Sequence, residues 1–521
     1  MAKSTDFIHS QIFMKKTIIS CFLFINIAVF AQKNDFAAME KFAQTITPAD
    51  LRAHLTFLAD DELEGRETGT RGQRVAGLYI ASQFMKMGLR AGNIPQKSYF
   101  QPYKVRDIAL EDGKVVLGKT TFTYAKEYFC SRVGAAPTTL EGEWEFAGFG
   151  YQDEKKDYLK ALTIKDKNVV ALLGGAGFED KDLREEIGII RKKTMEKGAK
   201  SLWLIFPDDI YNQLSKYAET SAIALSDDAP TFAMFFANEK MGDALLKQSK
   251  SSVQKANELY KKADNEQIDA STWKVNYSLK KAEKNQFASN VLAYLEGTDK
   301  KQEVIVITAH YDHLGMKKNG TVYNGADDDG SGTVSVLEMA EAFQKAADAG
   351  YRPRRSLLFM TVSGEEKGLW GSEFYTDHPI FPLENTVADL NIDMIGRTDE
   401  FFDGKKDSAS YVYMIGSDRL STDLDSIIRQ QNDKLYHFTL DYRYNDPKDP
   451  NNFYERSDHY NFARYGVPVN FFFTGTHEDY HKPEDDIEKI NFEKTAKIAR
   501  LIFASAWELA NREKRIVVDK K

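Results

Sequence analysis

The chain has 521 residues, of which 42% are hydrophobic and 28% charged, and a formal net charge of −8. That length exceeds one average domain and calls for two or three, and the composition is that of an ordinary globular protein. The acidic balance leaves no electrostatic footprint for a nucleic-acid partner, and no basic helix suggests an anionic membrane surface.

Near the start of the chain, Lys15 and Lys16 precede an apolar run, "TIISCFLFINIAVF", that stops at Ala31 before the polar "QKND". A basic stub, a short apolar core and a small closing residue predict a secretory signal peptide over residues 1–31, with a start at Met14 as a hypothesis. The run is short for a membrane span. The expectation is therefore a secreted or periplasmic protein with no stable membrane anchor after cleavage near Ala31. Cys130 is then the remaining cysteine, which excludes an internal disulfide and multi-cysteine zinc sites. Any metal must be held mainly by His and carboxylate.

Residues 35–139 read as the first part of a catalytic domain. "TPADLRAHLTFLA" has a Thr cap and helical spacing, "GQRVAGLYIASQFMKMG" has the same spacing and stops at Gly88, and a polar loop, "DDELEGRETGTRG", separates them. Over residues 140–275, short strand-like runs ("EWEFAGFGY", "NVVALLGG", "KSLWLIF", "PTFAMFFA") alternate with charged helical segments such as Lys181 to Lys200. None carries clustered His and acid, so this stretch reads as an inserted domain without catalytic residues. Residues 276–515 have the pattern of a mostly parallel α/β sheet. Strands are predicted at Glu303–Thr308, Leu357–Val362, Val387–Ile392, Tyr411–Ile415 and Val467–Phe473, and helices at Thr333–Ala346 and Asp423–Asn432.

Histidines and acids gather just after these strands, in "AHYDH" (309–313), "SGEEKG" (363–368), "IDMIG" (392–396) and "DYHKPEDD" (479–486). A further segment, "NGADDDGSG" (324–332), crowds Asp327, Asp328 and Asp329 among glycines. Adjacent acids repel unless a cation offsets the charge. In open α/β sheets ligands bind beyond the carboxyl ends of the strands, so the segments would meet at one rim. Imidazole and carboxylate donors suit zinc, and one shared carboxylate can bridge two ions roughly 3.5–4 Å apart. The glycines would let the backbone turn one aspartate between both ions.

Taken together, "AHYDH", "GADDDGSG", "SGEEKGLWGS", "NIDMIG" and "DYHKP" resemble the metal-site motifs of the co-catalytic zinc exopeptidases. That family includes secreted bacterial aminopeptidases, glutamate carboxypeptidases and glutaminyl cyclases. "LADDELEGRETGTRG" resembles its N-terminal region, and residues 140–275 resemble the protease-associated insertion of many members. The resemblance implies two Zn²⁺ ions, one on His310 and Asp393, the other on Glu366 and His481, with Asp328 bridging them. It also implies Glu365 as general base, Asp312 as the partner that orients His310, and Tyr480 as a phenol supporting the tetrahedral intermediate. The expected activity is that of a zinc aminopeptidase acting on peptides. A dipeptidase, a carboxypeptidase and a glutaminyl cyclase remain open within the family, as does a catalytically inactive receptor-like binding protein outside enzymology.

Two other motifs compete. "HEDYH" (477–481) fits the H-E-x-x-H zinc signature, which needs a helix, yet Gly475 and Pro483 flank it. A loop is expected there, with His477 and Glu478 as rim residues. "DDDGSGTVSVLE" nearly fits a calcium-binding EF-hand loop, but the approach "MKKNGTVYNGA" is not helical, and the helix is expected to start after a Ser331 cap. His54, His313, His378, His437 and His459 are read as structural. Within "RSDHY" (456–460), Asp458 or His459 is expected to line a substrate pocket.

Overall fold

The computed structural model describes residues 36–151, 157–173, 183–225, 232–261, 273, 275–406 and 408–520. The predicted signal peptide lies outside the described residues. The chain divides into two compact units, one of Met1–Glu67, Arg71–Gln101 and Asn290–Lys521, the other of Thr68–Thr70 and Pro102–Ser289.

The first unit is built on a mixed, mostly parallel sheet. Its strands lie in the order Thr439–Asp441, Tyr411–Ile415, Val469–Phe473, Thr386–Ile392, Lys300–His310, Arg355–Val362, then the end of Asn276–Leu295. Lys300–His310 runs parallel to both neighbours, and Thr386–Ile392 is parallel to Val469–Phe473. Antiparallel pairing enters where Tyr411–Ile415 joins Val469–Phe473 and where residues 291–295 join Arg355–Val362.

Both faces of this sheet are covered, which is why its strands read as continuous apolar runs. Successive side chains alternate between two cores. Ile305, Ile307, Leu357 and Phe359 enter one, while Val304, Val306, Leu358 and Met360 enter the other. Helices Gly332–Asp348 and Phe492–Asn511 close the first face, with the Phe343 and Phe503 rings 4.3 Å apart. Tyr375 of helix Trp370–Asp377 and Phe462 of His459–Ala463 pack into the second. Upstream, Thr47 caps helix Pro48–Leu58 by accepting from the Asp50 N–H at 3.2 Å, and helix Arg71–Met87 follows.

The second unit has its own core around a five-stranded sheet, including Trp144–Phe146, Asn168–Leu172, Ser201–Ile205 and Ala233–Ala237 in parallel. The Trp203 and Phe235 rings stack at 4.0 Å at its centre. This unit extends beyond residues 140–275 because Val115, Phe122, Tyr128 and Leu279 belong to the same core. Cys130 is buried there, and burial pushes its thiol up to about 12. No helix among the described residues is long and apolar enough to cross a membrane.

Candidate metal centre

The carboxyl ends of the parallel strands deliver the reactive side chains. His310 is the last residue of its strand, Asp393 follows Thr386–Ile392, and Glu365 and Glu366 sit in the turn after Arg355–Val362. His481 comes from turns after Val469–Phe473; residues 477–481 are not helical. The approach to the acidic triplet is the short strand Val322–Tyr323, not an EF-hand helix.

Each acid of the triplet has a different surrounding. Asp329 is fully buried and turns inward to the backbone: it accepts from the N–H groups of His310, Gly332 and Met394 at 3.1, 2.9 and 3.2 Å. It, rather than Ser331, satisfies the start of helix Gly332–Asp348; the Ser331 hydroxyl donates back to the Asp327 carbonyl at 2.9 Å. A side chain at Gly332 would meet the Asp329 carboxylate at 2.4 Å, so the close approach requires glycine. Asp327 accepts from Gly396 N–H at 2.6 Å and faces His477 Nε2 at 3.5 Å.

Of the triplet, it is Asp328 that divides its oxygens between two imidazoles. Oδ1 lies 3.2 Å from His310 Nε2, and Oδ2 lies 3.1 Å from His481 Nε2. His310 Nε2 is 3.7 Å from Asp393 Oδ1 and 3.9 Å from Glu365 Oε2. His481 Nε2 is 3.2 Å from Glu366 Oε2. The structure thus brings His310, Asp328, Glu365, Glu366, Asp393 and His481 to one place. His310 Nε2, Asp328 Oδ2 and Glu366 Oε1 are buried without hydrogen-bond partners, although buried polar atoms are normally paired. Orphaned imidazole nitrogens and carboxylate oxygens a few ångströms apart fit a divalent metal.

Asp312 is fully buried. Its backbone carbonyl, at 3.1 Å, faces His310 Nδ1 more closely than its carboxylate, at 3.8 Å. The carboxylate accepts from the Glu365 N–H at 3.4 Å. Tyr480 stacks on His481 with rings 3.9 Å apart and lines a narrow recess beside the acids. Phe453, Phe471, Phe473, Met394 and Arg456 line it too, along with Asp328, Glu365 and Asp393.

The electrostatics show how strongly the site favours positive charge. Burial disfavours protonated His310, yet Glu365 and Asp393 outweigh it and hold the ring well above the usual histidine range. Burial pushes Glu365 well above the usual carboxylate range; His310 opposes this while Glu366, Asp393 and Asp458 add to it. Burial and Asp328 push Glu366 upward, but contacts with His313 and His481 hold it at about 2.

Several expectations about neighbouring residues change. Asp458 and His459 do not line the recess: both are fully buried, and the Ser372 hydroxyl donates to Asp458 at 2.5 Å. Arg456 lines it instead, and Ser457 donates to Asp393 Oδ2 at 2.8 Å. His477 is buried against Asp327, whereas Glu478 is exposed. His313 is buried beside Glu366. The strand-end position of "AHYDH" is the signal that could have drawn attention to His313; nothing in the periodicity singles out Ser457.

Residues 290–506 match the model of peptidase family M28. Aminopeptidase YwaD of Bacillus subtilis (strain 168) is 29% identical over 512 residues, covering 92% of each chain. Leucine aminopeptidase 1 of Penicillium rubens is 28% identical over 228 residues, 42% of this chain and 56% of the relative. The fold is similar to that of an aminopeptidase from Aneurinibacillus sp. strain AM-1, with a TM-score of 0.57, 18% identity and coverage of 93% and 98%. It is also similar to that of BSAP, a zinc aminopeptidase from Bacillus subtilis, with a TM-score of 0.52, 21% identity and coverage of 91% and 99%. With this sheet, and with His and acid side chains gathered at its rim, residues 290–506 of the chain are similar to peptidase family M28.

Proposed function

We propose that this peptidase is a zinc-dependent aminopeptidase that removes N-terminal residues from peptides, with two zinc ions sharing Asp328. The observation that carries the reading is the divided carboxylate: Asp328 Oδ1 stands 3.2 Å from His310 Nε2 while Oδ2 stands 3.1 Å from His481 Nε2. His310 and Asp393 would hold one ion, and Glu366 and His481 the other. Bound zinc supplies Lewis acidity toward the scissile carbonyl and toward water.

Glu365 is the general base in this reading: its carboxylate takes the proton of the attacking water and passes it to the leaving amine nitrogen. Burial and the neighbouring acids raise its proton affinity, which suits a group that must both accept and release a proton. Asp312 is a positioning residue that receives the Glu365 N–H through its carboxylate and fixes His310 through its carbonyl. Tyr480 supports the developing oxyanion from the recess mouth. Phe453, Phe471, Phe473 and Met394 offer an apolar side chain a dry wall, while the adjoining acids attract the substrate's α-ammonium group. The aminopeptidase names of the relatives point the same way.

Arg456 supports a second reading. It is exposed at the recess and donates to the Tyr480 hydroxyl at 3.2 Å, where a substrate carboxylate could be received, as a dipeptidase or carboxypeptidase requires. A panel of aminoacyl, dipeptidyl and carboxyl-terminal substrates separates the two. Release of an N-terminal residue, abolished by chelation and restored by two equivalents of zinc, is the expected result; cleavage dependent on a free carboxyl terminus would replace the aminopeptidase reading. Residues 140–275 are read as a protease-associated domain. The basic–apolar–small pattern of residues 15–31 supports export, and sequencing the mature N-terminus tests it.

A further inference from the structure

His313 has no place in the ligand set proposed above, yet its surroundings are those of a ligand. The imidazole is fully buried, and neither ring nitrogen has a hydrogen-bond partner. Nδ1 lies 2.9 Å from Glu366 Oε1 and 3.8 Å from Asp328 Oδ2. Glu366 Oε1 and Asp328 Oδ2 are likewise buried and unbonded. At 2.9 Å an aligned N–H would make an ordinary hydrogen bond, so the absence of one reflects direction rather than distance. Donor atoms that stand close without pointing at each other are what a shared cation produces: tetrahedral zinc with ligand distances near 2.0–2.1 Å separates its donors by about 3.3 Å.

The backbone is built to hold this ring in place. A side chain at Gly325 would fall 2.4 Å from His313 Cγ, and Gly325 has a φ of +55°, so glycine is required on both counts. The Arg66 guanidinium fixes the Gly325 carbonyl at 3.0 Å, and the Arg66 carbonyl accepts from the His313 N–H at 3.3 Å. The His481 ring meets the His313 ring edge to face at 5.9 Å.

We propose that His313, through Nδ1, is a further protein ligand of the ion held by Glu366 and His481. This rests on the two-ion reading. The Glu366 side then has four protein donors (Asp328, Glu366, His481 and His313) and resembles a closed, retentive site. The His310 side has three (His310, Asp328 and Asp393) and keeps the open position beside Glu365. The two ions therefore have unequal duties, with exchange and substrate contact concentrated on the His310 side.

Cobalt(II) substitution of the intact protein tests this by counting ligands, independently of turnover. Each coordinated imidazole contributes one strongly shifted, solvent-exchangeable N–H proton resonance. With two equivalents of Co²⁺ the wild type is expected to give three such resonances and His313→Gln two. Two resonances in the wild type, or an unchanged count in the variant, would overturn the assignment. Two bound ions with a count of two would leave the two-ion reading intact, whereas binding of a single equivalent would sink that reading instead. The wild-type count needs no variant to fold. As a second readout, His313→Gln should lose its tighter zinc ion to a chelator at a concentration on the order of 100-fold lower than the wild type does; equal retention counts against the proposal.

Discussion

Replacing Arg66 by Met should make the catalytic unit unfold far more easily than its place at the end of the short helical turn Asp61–Arg66 suggests. The guanidinium is 1% exposed and is spent entirely on main-chain carbonyls from separate segments. Nε donates to Tyr311 at 2.8 Å, Nη1 to Asn324 at 2.6 Å and to Leu58, and Nη2 to Gly325 at 3.0 Å. One side chain thus ties the end of helix Pro48–Leu58 to the loop after His310 and to the acidic loop. Burial pulls its pKa down to about 10, with Asp312, Asp485, Asp328 and Asp329 opposing the fall. Methionine restores some apolar volume but deprives the Tyr311, Asn324 and Leu58 carbonyls of this donor, at about 1 kcal/mol each, while Gly325 keeps the Gly330 N–H at 3.1 Å; the substitution also removes a positive charge from among the acids. Relief of the guanidinium's own desolvation offsets part, so the net loss should be about 3–5 kcal/mol. Lysine keeps the charge but cannot reproduce the planar fork, so Arg66→Lys should fall between. Urea titration with pulsed hydrogen exchange reads the two units peptide by peptide, and the catalytic unit's midpoint should move while that of residues 102–289 stays. A loss below about 1 kcal/mol, or full recovery with lysine, would refute the clamp.

Other expectations concern chemistry and pH. Glu365→Gln should keep its zinc and lose on the order of 10²–10⁴ in kcat, measured as metal content alongside turnover; near-wild-type activity would remove Glu365 from the mechanism. Glu478→Gln should keep kcat within about twofold, because Glu478 is exposed in a turn and a helical zinc motif is absent there. Asp458 is raised from 3.8 to about 7, chiefly by burial, with Ser372 and His310 opposing and Asp312 and Asp393 adding. The folded chain then binds a proton that the unfolded chain has released, so this contribution is complete below pH 3.8 and is lost as pH rises to about 7. Thermal unfolding after zinc removal should show wild-type stability declining across that window relative to Asp458→Asn; parallel curves would show that Asp458 does not titrate there.

The strands that position the centre were legible because both sheet faces are covered, leaving apolar runs bounded by turn residues. Tyr411–Ile415 has the predicted bounds, while Lys300–His310 begins three residues before its apolar run and ends two after it, at His310 itself. Clustering of His and acid after those strands was likewise visible, since strand direction alone sends those loops to one edge. What could not be read was the choice among several eligible partners within a loop. Ser331 and Asp329 both qualify to satisfy a helix start, and the Asp329 carboxylate does so because the same group also reaches the N–H of His310 and of Met394. Arg456, Ser457, Asp458 and His459 are neighbours in sequence, yet one lines the recess, one holds Asp393 and two are buried. Nothing periodic distinguishes them, because short-range loop geometry rather than a repeating face sets their directions.

The three consecutive aspartates show why such crowding is tolerated. A buried carboxylate costs several kcal/mol unless donors or cations surround it, and three adjacent ones multiply the problem. Asp329 is met by three backbone N–H groups, and Asp327 by Gly396 N–H with His477 nearby. Asp485 accepts the N–H groups of Asp327 and Asp328, so the turn between them is itself held by a fourth acid. Among the three, Asp328 alone lacks such backbone donors on its own carboxylate and keeps imidazoles on either side of it. The flanking acids are therefore the framework, their oxygens occupied by backbone N–H groups in shaping the loop, and the middle acid is the one whose carboxylate is left to face the imidazoles.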